Sequence, residues 1–260
     1  MKLRIVPAKN GVIWVRQGIK TFWRQPIAMS GLFFIFMAVM SLSSLLPVIG
    51  SVIGLILIPG ATLGLMVASR EASNGKFPMP SVLASALIAG NNRKRDMLIL
   101  GVLYTIGFVS VLALSSLFDG GQFAKFYLFG GKFDIETISN SEFQSALWLS
   151  TALYIPLSAI FWHAPALVHW HGVPALKSMF FSLIACLSNW RAFFVFMLTW
   201  GFVTTSFGLG FIVISGLLDA PEIGTALMLP IMLLFAAMFF TSSYFSFEDC
   251  FEKELRSDNN

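Results

Sequence analysis

A chain of 260 residues of which 57 % are hydrophobic and only 12 % charged cannot be a soluble globule. Soluble domains carry about 25 % charged residues, and too few are present here to cover a water-facing surface. A net charge of +4 invites a nucleic-acid partner, but the placement of the basic residues excludes one. Cys186 and Cys250 stand far apart without a CxxC or metal-ligand spacing, which argues against a disulfide framework.

The expected fold is an all-α membrane protein, a single integral domain of six transmembrane helices arranged as three hairpins, each preceded by an interfacial amphipathic helix. Residues 1–26 form the first such helix. Over Gly11–Gln25 the side chains of Val12, Val15, Ile19, Phe22 and Trp23 share one face, and Arg16, Lys20 and Arg24 form a basic stripe beside it. Trp14 and Trp23 suit the headgroup level, and Pro26 breaks the helix at membrane entry. Arg16, Lys20, Arg24, Trp14 and Trp23 are therefore the candidate contacts for lipid or a partner. The competing reading is a plain basic anchor that sets topology. The first apolar run starts near Ile27 and is too long for the core of a cleavable signal peptide, so it is expected to be retained.

Crossing about 30 Å of hydrocarbon takes about 20 helical residues. The uncharged run 27–69 is twice that length and must be a hairpin, with its turn at Pro47–Gly50. Residues 70–96 form a second interfacial segment. Hairpin two covers 97–168, with spans Met97–Phe118 and Ala146–Val168 around a loop over 119–145. In that loop Gly120-Gly121 and Gly130-Gly131 mark turns, four aromatic residues between Phe123 and Phe129 dip into the interface, and the acidic half from Asp134 to Glu142 is solvated. A third interfacial segment over 169–191 contains Ala175–Leu187, which is apolar but short for a crossing. Hairpin three covers 192–247, with spans Ala192–Leu218 and Ile223–Phe247, and 248–260 is a tail.

Of the seventeen Lys and Arg residues, all but Lys125 and Lys132 fall in the N-terminal segment, the two connections over 70–96 and 169–191, or the tail. The positive-inside rule then places both termini in the cytoplasm. The connections also repeat. Pro59 precedes Gly75 by the same interval that separates Pro156 from Gly172, and each glycine is followed by a proline-led segment, Pro80 or Pro174, and an Asn/Arg exit into the next span. Arg24-Gln25-Pro26 is a third, degenerate copy.

The stretch Phe161-Trp162-His163-Ala164-Pro165-Ala166-Leu167, followed by Pro174 to Phe194, resembles the signature of a family of uncharacterised inner-membrane proteins of Gram-negative bacteria. It is more distantly similar to YciC-like proteins and to the membrane domain of some glycerophosphodiester phosphodiesterases. The resemblance implies a bacterial inner-membrane location and an architecture, and it supplies no catalytic residues.

His163, His169 and His171 lie within nine residues, beside Trp162 and Trp170. On a helix they point in divergent directions with no Cys or carboxylate close in sequence, so packing is the expected role rather than metal or haem. The twelve methionines are scattered without a copper-binding ladder. The expected spans contain no Asp, Glu, Lys or Arg, which argues against proton relays, ion coupling and voltage sensing. Ser and Thr clusters, together with Gly50-xxx-Gly54 and Gly60-xxx-Gly64, read as helix-packing surfaces. No enzyme activity, cofactor, metal or nucleic-acid partner is expected. The leading function is an accessory, assembly or scaffolding component of a membrane complex, or a factor interacting with anionic membrane lipids. The alternative is a channel or carrier for a neutral, apolar or lipidic solute. A phosphatase reporter should be active when fused at Lys132 or Ala220 and silent at Asn74, Lys177 or Asn260. Activity at Asn260 would show that the Ala175–Leu187 segment crosses.

Overall fold

The computed structural model describes residues 2–46, 49–129, 137, 139–217 and 221–251. In order these form α1 (Asn10–Arg24), α2 (Pro26–Ser44), α3 (Ile49–Ser73), a 3-10 turn (Pro80–Ala84), α4 (Ser85–Ile88), α5 (Asn91–Asp119), α6 (Gln122–Phe129), α7 (Ser141–Trp162), α8 (Ala164–His171), α9 (Ala175–Ser188), α10 (Trp190–Leu217) and α11 (Pro221–Cys250). The β geometry among the described residues is one isolated bridge, Leu3 to Phe251. Six stretches are long and apolar enough to cross a bilayer: Pro26–Ser43, Ile49–Ser73, Asn91–Asp119, Ser141–His171, Trp190–Leu217 and Ala226–Cys250.

These coincide with the six expected spans, and the differences lie at their edges. Pro47 and Val48 of the first turn fall outside the described residues, as do Gly130, Gly131, Asp134, Glu136 and the tail from 252. Helix α5 starts at Asn91 and carries Arg93, Lys94 and Arg95 in its first turns. A run of charge marks where apolar surroundings end, which need not be where the helix ends. Likewise α11 runs through Glu248 and Asp249 to Cys250, where a tail was expected. The second interfacial segment resolves into a 3-10 turn and a one-turn helix rather than one continuous helix. Helix α9 has 14 residues, about 21 Å of length against about 30 Å of hydrocarbon. Gly75 and Gly172, the paired turns of the repeat, both adopt the left-handed conformation, with φ of 76° and 62°. That conformation ends α3 and α8 and is cheap only for a residue without Cβ.

The chain forms two compact units. One comprises Met1–Phe34, Gly64–Leu83 and Ala185–Asn260, the other Ile35–Leu63 and Ala84–Ile184. In the second, α5 and α7 pack along each other through aromatic rings: Tyr104 meets Phe161 edge-on at 5.2 Å, and Phe108 meets Tyr154 at 6.1 Å. The Tyr104 and Tyr154 hydroxyls are 3.2 Å apart. Helix α6 folds onto this pair, with Tyr127 against Phe108 and Phe123 against Phe143. Asp119 was expected in a loop, yet it is buried and accepts from the amides of Gly121 (2.8 Å) and Phe123 (2.6 Å). Its carboxylate thereby supplies acceptors for the orphan amides that open α6. Asp96 does the same for α9, accepting from the Ala175 amide at 3.2 Å.

The fourth span is broken at His163, between α7 and α8. Ser182 of α9 stitches the break: it accepts from the His163 amide at 2.9 Å and donates to the Ala159 carbonyl at 2.8 Å. A buried amide or carbonyl left without a partner costs about 1–3 kcal/mol. Ser182→Ala should therefore lower the thermal stability of the detergent-solubilised protein by roughly that amount, whereas Ser182→Thr, which keeps the hydroxyl, should lower it less. Equal melting of wild type and Ser182→Ala would show that the hydroxyl is not what holds the break.

Candidate functional site

In the first unit, α1 lies against the start of α10 and the end of α11. Its buried residues are Gly11, Trp14, Val15, Gly18, Thr21 and Phe22. The apolar face read from the sequence, Val12, Val15, Ile19, Phe22 and Trp23, is not the face packed against protein: Val12 is 47 % and Trp23 64 % exposed. The buried stripe lies about a quarter turn from that apolar face. Close approach decides this. A Cβ on Gly11 would run into the Ala192 carbonyl and the Phe196 amide, and one on Gly18 into Cα and Cβ of Ser242. The bare backbone at these two positions lets α1 sink between α10 and α11, and the flanking aromatics fill in around it.

Trp14, expected to contact lipid or a partner, is fully buried, tilted against Phe193 at 5.2 Å and edge-on to Phe196 at 6.0 Å. A buried indole needs an acceptor for its N–H. Here Nε1 donates to Asp249 Oδ2 at 2.7 Å, and Asn10 Nδ2 donates to the same oxygen at 2.9 Å. Further along the same contact, Trp200 Nε1 donates to Ser242 Oγ at 3.1 Å.

Asn189, between α9 and α10 and 2 % exposed, ties the segment before α1 to this cluster. Its Oδ1 accepts from the Val6 amide at 2.8 Å, and its Nδ2 lies 3.0 Å from the Arg4 and Ala185 carbonyls and 3.5 Å from Cys250 Sγ. The Arg4 amide donates to the Cys250 carbonyl at 2.9 Å. Burial, and then the proximity of Cys250, push the Cys186 thiol above the usual thiol range, which keeps it protonated and unreactive.

The basic stripe divides. Arg24 Nη1 donates to the Ser73 carbonyl at 2.8 Å, so its charge sits at the C-terminus of α3, where a cation is favourable. Trp23 stays exposed, edge-on to Phe22. Arg16 and Lys20 stand apart from these, on the rim of an open groove of about 400 Å³ lined by Val12, Val15, Ile19 and Thr199. Sequence periodicity found Arg16 and Lys20. It did not find Asp249, Asn189 or the glycine pair; the signals for the first and last were a Glu-Asp pair directly after an apolar span and a Gly-x6-Gly spacing.

The histidines separate. His163 is fully buried at the span break, and His169 and His171 lie in the last turn of α8, half-buried. Among the described residues, no group of three His, Cys, Asp or Glu side chains is placed to hold a metal ion. The glycines at 54 and 60 pack as expected, against Ser43 and Met40 and against Ala86.

A protein of Burkholderia thailandensis described as a probable inner membrane protein is 36 % identical over 254 residues, which cover 96 % of this chain and 94 % of the relative. No family model and no solved structure matches the chain.

Removing the Asp249 carboxylate leaves two donors, one of them the buried indole N–H, without their acceptor. Hydrogen bonds to a charged group contribute about 1.5–3 kcal/mol, so Asp249→Ala should loosen α1 by roughly that amount. Limited trypsin digestion reads this directly, as faster cleavage after Arg16 and Lys20. Gly18→Leu should have the same signature through steric displacement. Unchanged cleavage in both variants would show that α1 is held by other contacts.

Proposed function

Because the chain belongs to the same inner membrane protein family as that relative, we propose that it is a non-catalytic, multi-pass component of the bacterial inner membrane that acts by lateral contact, as an accessory or scaffolding partner of other membrane proteins. In this reading both termini face the cytoplasm, following the clustering of Lys and Arg. The likeness to YciC-like proteins and to phosphodiesterase membrane domains enters as architecture alone. Ser182, the hydroxyl beside His163, is engaged with backbone on both sides, which suits a structural role better than a nucleophilic one.

The observation that carries the proposal is the outer half of α10. There Phe207 turns to α11 and meets Phe235 at 5.0 Å, as Trp200 meets Phe239 at 5.9 Å. Gly201, Thr205 and Gly208 fall within about 60° of one another on a different side. Gly201 and Thr205 are exposed, and among the described residues nothing would meet a Cβ added to Gly201 or Gly208. Glycine inside a helix costs about 0.8–1.0 kcal/mol relative to alanine, and contact with lipid gives no reason to bear it. Small residues in membrane helices gather where a second helix approaches closely. This side of α10 is therefore shaped for another membrane helix, while Arg16 and Lys20 on α1 favour anionic lipid nearby.

Because the space around Gly201 and Gly208 is open, Gly201→Leu with Gly208→Leu should insert and melt like wild type. Wild type extracted in mild detergent should migrate on native electrophoresis as a complex larger than one chain, and the double variant should lose it. Retention of that complex would overturn the proposal. Saturable, gradient-driven uptake of a neutral solute by the pure protein in vesicles would replace it with a carrier.

A further inference from the structure

The groove on α1 combines two features that ordinarily compensate each other elsewhere in a protein. Arg16 and Lys20, one turn apart, are exposed, and neither has a hydrogen-bond or ion-pair partner among the described residues. Like charges at i, i+4 repel, so the pair calls for an anion. Beneath them the floor is apolar: Val12, Val15 and Ile19 on one wall and Thr199 of α10 on the other. The Thr199 hydroxyl already donates to the Val195 carbonyl at 2.7 Å, so the floor has no free donor for a polar ligand. A volume of about 400 Å³ falls within the range of small-molecule sites.

The depth of the groove identifies its occupant. Helix α10 has 28 residues, about 42 Å, against about 30 Å of hydrocarbon, so about eight residues project beyond the core. Gly11 abuts Ala192 and Phe196, and Lys20 lies beside Thr199, so α1 flanks the projecting end. Charged side chains avoid the hydrocarbon core, which places Thr199 at its boundary and leaves residues 200–217, about 27 Å, to span it. A cationic rim over an apolar floor at that boundary matches a lipid headgroup above its acyl chain.

We infer that this groove seats one anionic glycerophospholipid, its phosphate between Arg16 and Lys20 and one acyl chain along Val12, Val15 and Ile19. This rests on the membrane placement of α10 and not on the lateral partner proposed for its outer half. The test is native mass spectrometry of the full chain released from nanodiscs that contain phosphatidylglycerol and phosphatidylcholine in equal amounts. One phosphatidylglycerol should remain per chain, with a preference of about thirty-fold from two adjacent cations. Arg16→Gln with Lys20→Gln should abolish the preference without changing the melting temperature. Thr199→Trp, which fills the floor and keeps both cations, should reduce occupancy by either lipid. Millimolar inorganic phosphate should displace nothing. The inference fails if wild type retains no stoichiometric lipid, if the Arg16/Lys20 variant keeps the preference, if Thr199→Trp keeps wild-type occupancy, or if inorganic phosphate removes the lipid. Native electrophoresis separates this from the lateral reading: the Arg16/Lys20 variant should keep the complex that the Gly201/Gly208 variant loses, and the latter should keep the lipid.

Discussion

A backbone amide or carbonyl in hydrocarbon has no water to turn to, and each one left alone costs several kcal/mol. Much of this structure answers that constraint. The spans are helices because a helix satisfies its own backbone. At several places where helical geometry lapses, a side chain has been recruited. Ser182 supplies both a donor and an acceptor at the break after Trp162. Asp119 and Asp96 receive the orphan amides at the starts of α6 and α9. Asn189 closes the gap between α9 and α10 and reaches back to the segment before α1. Ser and Thr within the spans bond to carbonyls three or four residues behind them, as Ser69, Thr105, Ser150 and Thr241 do.

The same economy governs the charged residues. Asp249 sits at the edge of an apolar span because it has two donors to hold, Trp14 and Asn10. Arg24 is placed against the last turn of α3, which presents unsatisfied carbonyls. Arg16 and Lys20 have no such task, and they are the two that border the groove. Structural and available charges are thus separated within a single fifteen-residue helix.

The six spans are legible in the sequence because a barrier of fixed thickness imposes a minimum apolar length, and composition alone measures it. Break points and packing faces are less legible. The break at His163 leaves no proline or glycine at its own position, since Pro165 follows it and Ser182 completes it from nineteen residues away. On α1, hydrophobic periodicity selects the largest side chains, while packing at short interhelical distance selects the smallest. Gly11 and Gly18 therefore set the buried face, and Val12 and Trp23 move outward. Asp249 is hidden for a related reason. A carboxylate just past an apolar run reads as solvated tail, and only the indole 235 positions earlier shows that it is not. Arg16 and Lys20 are legible as a pair because helical spacing alone places them on one face.

The pairing of Trp14 with Asp249 also bears on biosynthesis. Translation at about 5–20 residues per second separates the two by roughly ten to fifty seconds. Until α10 and then α11 have emerged, near the end of that interval, the bare glycines of α1 and its indole N–H lack the surfaces that bury them in the finished chain. The segment around Leu3 and Arg4 then docks only once Cys250 and Phe251 have emerged. Closure of the N-terminal segment is thus a late event. A chain truncated anywhere before Asp249 would lack the oxygen that accepts from both Trp14 and Asn10.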